Sequence, residues 1–314
     1  MIDQPFSRLS NNIGLLALFL LGALLAGVAE LPYGGWIQLP ILSLIWWQIA
    51  RQGTSTIRSG FVSGMSFGLG YFVLGLWWIF ISLHDVGGMH PLISGFAVFL
   101  LAAGMALFFS SACFPLYLPQ RTRLTGLALA ASWVIVEYLR SVVLTGFPWM
   151  GFAEAQFNGP FAAAAPLLGG LACTFLTVWI SWEIAQLRKQ IFYSGTSIIA
   201  TIALTQFASF WTFTQPIGEP LSVRLIQGNF EQSLKFNPKS IEEQFRFYTN
   251  AIESQSADLI ITPETAYPWP ERNLPTGLLE SIQNFSSKTS SNVLLGVIGE
   301  SHDSNEVKYT NRAL

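Results

Sequence analysis

The sequence predicts a polytopic α-helical membrane bundle of about seven spans, residues 1–218, followed by a partial α/β domain, residues 219–314. Three observations carry this reading. Of the 314 residues, 51% are hydrophobic and only 11% charged, with a mean hydropathy of +0.46, whereas a soluble domain carries about 25% charged residues. The charge is uneven: residues 1–218 hold 14 charged side chains and the remaining residues hold 20. Apolar runs fill the first part, and alternating strand and helix signals fill the second.

These numbers exclude an ordinary soluble enzyme and a disordered chain. A formal net charge of −2 supplies no basic field for a phosphate backbone, so no nucleic acid is expected as a partner. The two cysteines, Cys113 and Cys173, form neither a CxxC pair nor a metal-ligand spacing. No metal, redox centre or other cofactor is implied.

A bilayer core of about 30 Å needs roughly 17 to 25 apolar residues per helix. Seven runs answer to that length within a few residues: 13–29, 36–50, 61–83, 92–118, 124–139, 166–185 and 191–213, of which the second and fifth are short. The first two are joined by a tight hairpin through Leu31-Pro32-Tyr33-Gly34-Gly35. The first run is a retained helix, not a signal peptide, because further spans follow it in place of a cleavage site and soluble sequence.

Basic residues in short loops stay in the cytoplasm. A cytoplasmic N-terminus puts Arg8, Arg51, Arg58, Arg121, Arg123, Arg188 and Lys189 inside and leaves only Arg140 in an outer loop. With seven spans, the chain beyond about Phe213 then lies outside the cytoplasm.

Between the fifth and sixth spans runs Thr145-Gly146-Phe147-Pro148-Trp149-Met150-Gly151-Phe152, followed by Glu154, Gln156 and Asn158. This aromatic stretch reads either as an interfacial belt or as a re-entrant loop shaping a substrate portal, since irregular backbone near a membrane must line protein or a cavity. Ionisable residues inside spans are functional candidates by default. Here Glu137 can pair with Arg140 at i, i+3, and Glu183 lies about a turn from Arg188 and Lys189. His84, Asp85 and His90 read as a solvated loop, and Cys113 and Cys173 as small hydrophobes.

From Ser222 the pattern changes. Val223–Gln227 reads as a strand ending at Gly228-Asn229. Residues 238–253 read as a helix with Ile241, Phe245, Tyr248 and Ile252 on one face, and 259–262 as a second strand. A helix over 276–288 and a third strand over 293–298 follow, so the sheet is expected to be largely parallel. Chemistry in such sheets sits at the carboxyl ends of strands, and Leu259-Ile260-Ile261-Thr262-Pro263-Glu264-Thr265 delivers a carboxylate there. Glu264 is either a catalytic group or a capping surface carboxylate.

The succession of spans, Gly146-Phe147-Pro148-Trp149, Val223-Arg224-Leu225-Ile226-Gln227-Gly228-Asn229, Gln232-Ser233-Leu234-Lys235 and Pro263-Glu264-Thr265 together resemble apolipoprotein N-acyltransferase, a bacterial membrane enzyme with a nitrilase-like αββα domain. The resemblance covers nearly the whole chain in the family's order. It implies a multi-pass protein of the bacterial inner membrane with its soluble domain on the periplasmic side. Its implied partners are a phospholipid acyl donor, a lipoprotein bearing an N-terminal diacylglyceryl-cysteine, and the surrounding lipids.

The implied chemistry uses a Glu-Lys-Cys triad. The cysteine thiolate attacks the phospholipid ester to make an acyl thioester, glutamate serves as general base, and lysine supports the oxyanion. The lipoprotein's α-amine then takes the acyl group. Glu264 matches the glutamate. The matching lysine and cysteine are expected after a further strand, downstream of Leu314; Lys308 comes too early, and both cysteines precede Glu264. The ending after Tyr309-Thr310-Asn311, in what reads as an opening strand, is therefore expected to reflect a truncated or split gene product, and these 314 residues are expected to be inactive alone.

The resemblance further implies substrate contacts at Gly146, Phe147, Pro148 and Trp149 and at Phe236, which stands where the family commonly has tryptophan. Thr262 stands where tryptophan usually precedes Pro-Glu, which bears on donor preference. The alternatives to the acyltransferase reading are a catalytically dead protein that binds lipid or lipoprotein, and one half of a split enzyme. A transporter ranks last, because no broken-helix pair or buried charge series is legible.

Overall fold

The computed structural model describes residues 4–53, 56–118, 121–212, 214–231, 237–303 and 306–314. The chain separates into two compact units, Met1–Thr214 and Gln215–Leu314.

The first unit is helical. Its helices are α1 (Gln4–Ala26), α2 (Gly34–Gly53), α3 (Ile57–Gly75), α4 (Trp77–Ile81), α5 (Pro91–Ala112), α6 (Thr125–Val142), a single-turn α7 (Ala165–Leu168), α8 (Gly170–Gln186) and α9 (Ile191–Ala208). Asn12–Glu30, Pro91–Ala112, Thr125–Thr145 and Ile191–Ala208 are each long and apolar enough to cross a membrane. The pair Ile57–Gly75 and Trp77–Val86, bent by 49°, makes a fifth where it is taken as one broken span and not as a re-entrant loop.

That is fewer than the seven runs, although helices form in all seven. The two that fall short are α2 and α8: α8 spans only 17 residues, whereas α2 is long enough and is excluded by its polar side chains. The two helices pack against each other, with Trp46 Nε1 donating to Ser181 Oγ at 2.7 Å, and Gln38, Gln52, Thr174, Thr177 and Ser181 are buried inside the unit. A helix enclosed by protein tolerates polar side chains that lipid would reject. The fifth run, expected to be short, extends over Thr125–Thr145. The run 61–83 breaks at Leu76, where φ −101° and ψ 9° leave the helical region.

Close packing centres on α3. A methyl group added at Gly60 would stand 2.3 Å from the Tyr117 ring, at Gly64 2.3 Å from the Tyr117 hydroxyl, and at Gly68 2.8 Å from Ala106 Cα. Glycines four residues apart thus let α3 approach α5 and the turn after it, the small-residue packing that replaces the hydrophobic effect between helices in lipid. Gly70 does the same toward α1, against the Phe19 carbonyl. Beneath these contacts Trp46, Phe67, Phe72, Trp133 and Phe152 form a buried aromatic core, with Trp133 and Phe152 stacked at 4.7 Å.

The second unit contains β1 (Val223–Leu225), α10 (Pro238–Glu253), β2 (Leu259–Ile261), β3 (Tyr267–Pro270), α11 (Leu278–Thr289), β4 (Asn292–Leu294), β5 (Gly296–Asp303) and β6 (Glu306–Ala313). One sheet runs β1-β2-β4, all parallel; the other runs β3-β5-β6, with β3 parallel and β6 antiparallel to β5. The expected periodicity holds in α10, whose Ile241, Phe245, Tyr248 and Ile252 are buried with Ile260, Tyr267, Ile282, Leu295 and Val297.

Two features depart from expectation. The third strand, expected over 293–298, is divided between two sheets: β4 ends at Leu294 and β5 begins at Gly296. A methyl group at Gly296 would stand 2.0 Å from the Pro263 carbonyl, so only glycine lets the chain cross there beside the Pro-Glu-Thr turn. The second departure is β3, Tyr-Pro-Trp-Pro, whose prolines suggest no strand; it lies at a sheet edge, where missing N–H donors are tolerated.

Candidate functional site

The central strand β2 ends at Ile261 and hands the chain to Thr262-Pro263-Glu264-Thr265. Thr262 fixes the exit. Its N–H donates to the Leu294 carbonyl at 3.0 Å, and its hydroxyl oxygen accepts from the Gly296 N–H at 3.0 Å. The Ala266 N–H then closes a turn on the Pro263 carbonyl at 3.2 Å. Thr265, buried inside this turn, adopts φ +54°, a left-handed conformation that a β-branched residue rarely takes. Such backbone strain persists only where neighbours hold it in place, and it concentrates at functional sites.

Glu264 itself is exposed. It lines a cleft of about 210 Å³ together with Gln227, Gly228, Asn229 and Phe230 from the turn after β1, Gln244 and Tyr248 from α10, and Pro263 and Thr265. The expected convergence of the β1 and β2 tips on one crevice is what the structure shows. Asn229 also has a left-handed φ of +54°. Gly228 is required by close approach, since a methyl group there would meet the Tyr248 hydroxyl at 2.5 Å and the Phe230 ring at 2.7 Å.

The carboxylate is held from the far end of the chain: Asn311 Nδ2 in β6 donates to Glu264 Oε1 at 2.6 Å. No signal in the sequence pointed to Asn311, which lies 47 residues away. Burial pushes the Tyr248 hydroxyl above its ordinary pKa despite a hydrogen bond from the Gly228 backbone, and burial pushes Tyr267 up to about 12. Both phenols therefore stay protonated at neutral pH, Tyr248 in the wall of the cleft and Tyr267 in the core behind it, without adding charge.

The aromatic loop of the helical unit has its own anchor. Arg140 Nη1 donates to the Phe147 carbonyl at 2.7 Å and to the Trp149 carbonyl at 2.6 Å, and the Phe147 N–H returns to the Arg140 carbonyl at 2.8 Å. Arg140 is buried, at 2% exposure, instead of lying in an outer loop. Glu137 is turned to another partner, accepting from Thr174 Oγ1 at 3.0 Å, so the expected i, i+3 ion pair gives way to loop and interhelical bonds. The backbone turns at Gly146 with φ +83°. Phe147 is partly buried and packs against Trp149 at 4.9 Å, while Pro148 and Trp149 are exposed, Trp149 to 56%. Phe236 and Gln232-Ser233-Leu234-Lys235 lie outside the described residues.

Both thiols are in the helical unit and buried, and Cys173 donates to the Phe161 carbonyl at 3.3 Å. Among the described residues, no group of three or more His, Cys, Asp or Glu side chains is placed to hold a metal ion. His84 Nδ1 bonds the Met89 carbonyl and His90 caps α5, so both rings organise the loop after α4.

Comparison with known proteins matches residues 22–182 to the apolipoprotein N-acyltransferase N-terminal domain. An apolipoprotein N-acyltransferase of Ralstonia nicotianae is 33% identical over 285 residues, covering 88% of this chain and 54% of the relative. That of Shewanella oneidensis is 30% identical over 321 residues, covering 96% and 58%, and that of Haemophilus ducreyi 32% over 295 residues, covering 90% and 56%. The chain spans about half the length of these curated relatives.

Proposed function

The chain belongs to the apolipoprotein N-acyltransferase family, and on that premise we propose that it supplies the membrane bundle and the base-bearing part of an enzyme that moves an acyl chain from a phospholipid to the α-amine of a lipoprotein's N-terminal diacylglyceryl-cysteine. The observation that carries this reading is the position of Glu264: at the carboxyl end of a central parallel strand, in a cleft with Gly228 and Asn229, its carboxylate oriented by Asn311. A carboxylate so held can take the proton of a thiol and return it to a leaving oxygen or withdraw one from an attacking amine.

The protein is multi-pass in the bacterial inner membrane. Seven helices cross if α2 and α8, enclosed by their neighbours, are counted with the five apolar ones. Residues 1–218 form the membrane part, and residues 219–314 lie on the periplasmic side as part of a nitrilase-like αββα domain. The loop Gly146-Phe147-Pro148-Trp149, pinned by Arg140 with Trp149 exposed, is the surface for lipid at the bundle, and Phe236 contributes on the soluble side.

The nucleophile is not one of the two thiols of these residues, because both are buried in the helical unit and a reactive cysteine needs thiolate character and access. On this reading the transfer needs a lysine and an accessible cysteine besides Glu264, and no turnover is expected from these 314 residues alone. The second reading is a lipid- or lipoprotein-binding protein without catalysis.

Acyl transfer from a fluorescent phospholipid to a diacylated lipopeptide separates the two. The complete reading frame containing these residues, with any partner chain encoded beside it, turns over, and the purified 314-residue chain does not. Lipopeptide binding without transfer, unchanged by Glu264→Ala, favours the binding protein.

A further inference from the structure

A cluster of cations in the helical unit has no place in the reaction. Arg51 at the end of α2, Arg121 and Arg123 before α6, and Lys189 between α8 and α9 line one cavity of about 540 Å³. Three separate connections thus bring four positive charges to one end of the bundle. The aromatic side chains are arranged with them: the Arg51 guanidinium lies over the Trp47 ring at 5.5 Å, and that of Arg123 over the Tyr193 ring at 5.7 Å. Arg121 is fixed by donating Nη2 to the Ala50 carbonyl and, at 3.1 Å, to the Leu116 carbonyl, and its Nε is buried with no partner among the described residues. Glu183, the one carboxylate lining the cavity among the described residues, accepts from Ser194 Oγ at 2.7 Å.

The loop-charge bias accounts for cations at this end, but not for their convergence on a cavity. We infer that the cavity binds a phosphate-bearing anion, and that its source is the headgroup of an anionic phospholipid. Guanidinium forks match phosphate oxygens, and basic pockets between membrane helices are suited to anionic headgroups. What favours a lipid over free phosphate is the neighbouring groove. A second cavity of about 370 Å³ shares Trp47, Gln186 and Lys189 with the first, has Arg188 and Ser43 in its wall as well, and continues along Leu44, Ile184 and Ala185 between α2 and α8, a lining that is mostly apolar. A charged chamber opening into an apolar channel fits a headgroup with its acyl chain.

Native mass spectrometry of the detergent-purified 314-residue chain tests this, with phosphatidylglycerol and phosphatidylethanolamine as probes, beside a calorimetric titration with inorganic phosphate. Phosphatidylglycerol is expected to bind on the order of tenfold more tightly than phosphatidylethanolamine, and Arg123→Gln with Lys189→Gln to remove that preference. Arg58→Gln, a cation outside the cavity, is expected to leave it intact. Should the double variant fail to fold, Lys189→Gln alone serves, since that side chain is exposed. Saturable phosphate binding lost in the same variants, with no lipid preference, identifies a free anion as the source. No preference and no phosphate binding overturns the inference, as does equal loss in Arg58→Gln.

Discussion

Asn311 and Glu264, 47 residues apart, meet at 2.6 Å, so that the strand β6 holds the carboxylate at the tip of β2. A carboxylate with one oxygen tied to a neutral amide keeps its orientation and its capacity to accept a proton on the other oxygen. Asn311 is thus a positioning residue. In the active enzyme Asn311→Ala should lower kcat by roughly tenfold with little change in KM, while Glu264→Gln should lower it by roughly a hundredfold or more. Steady-state transfer kinetics with both variants check the split; a loss in Asn311→Ala as large as that in Glu264→Gln, or no loss at all, would contradict the positioning role.

Arg140 makes a second testable contribution. Removing its side chain by Arg140→Ala takes away the bonds to the Phe147 and Trp149 carbonyls, at a net cost of about 1–3 kcal/mol for the pair. The variant should lower the unfolding temperature in nanodiscs and raise protease cleavage at residues 146–149, which thermal scans and limited proteolysis measure.

The glycine face of α3 predicts an asymmetric response to bulk. Gly64→Leu forces a side chain against Ser110 and Tyr117 and should destabilise by about 1–3 kcal/mol or more. A Cβ at Gly104 in α5 would meet no atom within 4 Å, so Gly104→Leu should be near neutral. Thermal unfolding of both variants in the same nanodiscs makes the comparison.

Asp258 gives a pH dependence with a definite sign. Its Oδ2 accepts from both the Ser222 hydroxyl at 2.6 Å and the Ser222 N–H at 2.7 Å, which hold its pKa below the ordinary value in the folded chain. The stabilisation is present above the unfolded pKa of about 3.9 and is lost as pH falls through the lower folded value. The difference in stability between the wild type and Ser222→Ala should therefore be constant from neutral pH to about 5 and shrink below about 4, as read by thermal unfolding across that range.

The sequence was most legible where one periodicity ruled. The helical face Ile241, Phe245, Tyr248 and Ile252 of α10 could be read because each apolar residue is buried, and the exit of β2 because an apolar strand runs into a proline. It was less legible where context overrides composition. Enclosure by protein, invisible in a linear pattern, explains why α2 carries the buried Gln38 and Gln52 and falls short of the apolarity of a lipid-facing span, while α8 falls short in length. The strand β3 was hidden by prolines that only an edge position allows. Arg140 looked like a loop cation because its carbonyl partners follow it in sequence without any pattern of their own, and Asn311 could not be found at all, since its contact exists only after β6 pairs with β5.

The decisive measurement is the mass of a lipoprotein's N-terminal peptide from bacteria that depend on the gene containing these residues, wild type against Glu264→Gln. A third acyl chain on the α-amine in the wild type, absent in the variant, is the expected result. An unmodified α-amine in both, with the protein present and folded in the membrane, would contradict the assignment of Glu264 as the base of an acyl transfer.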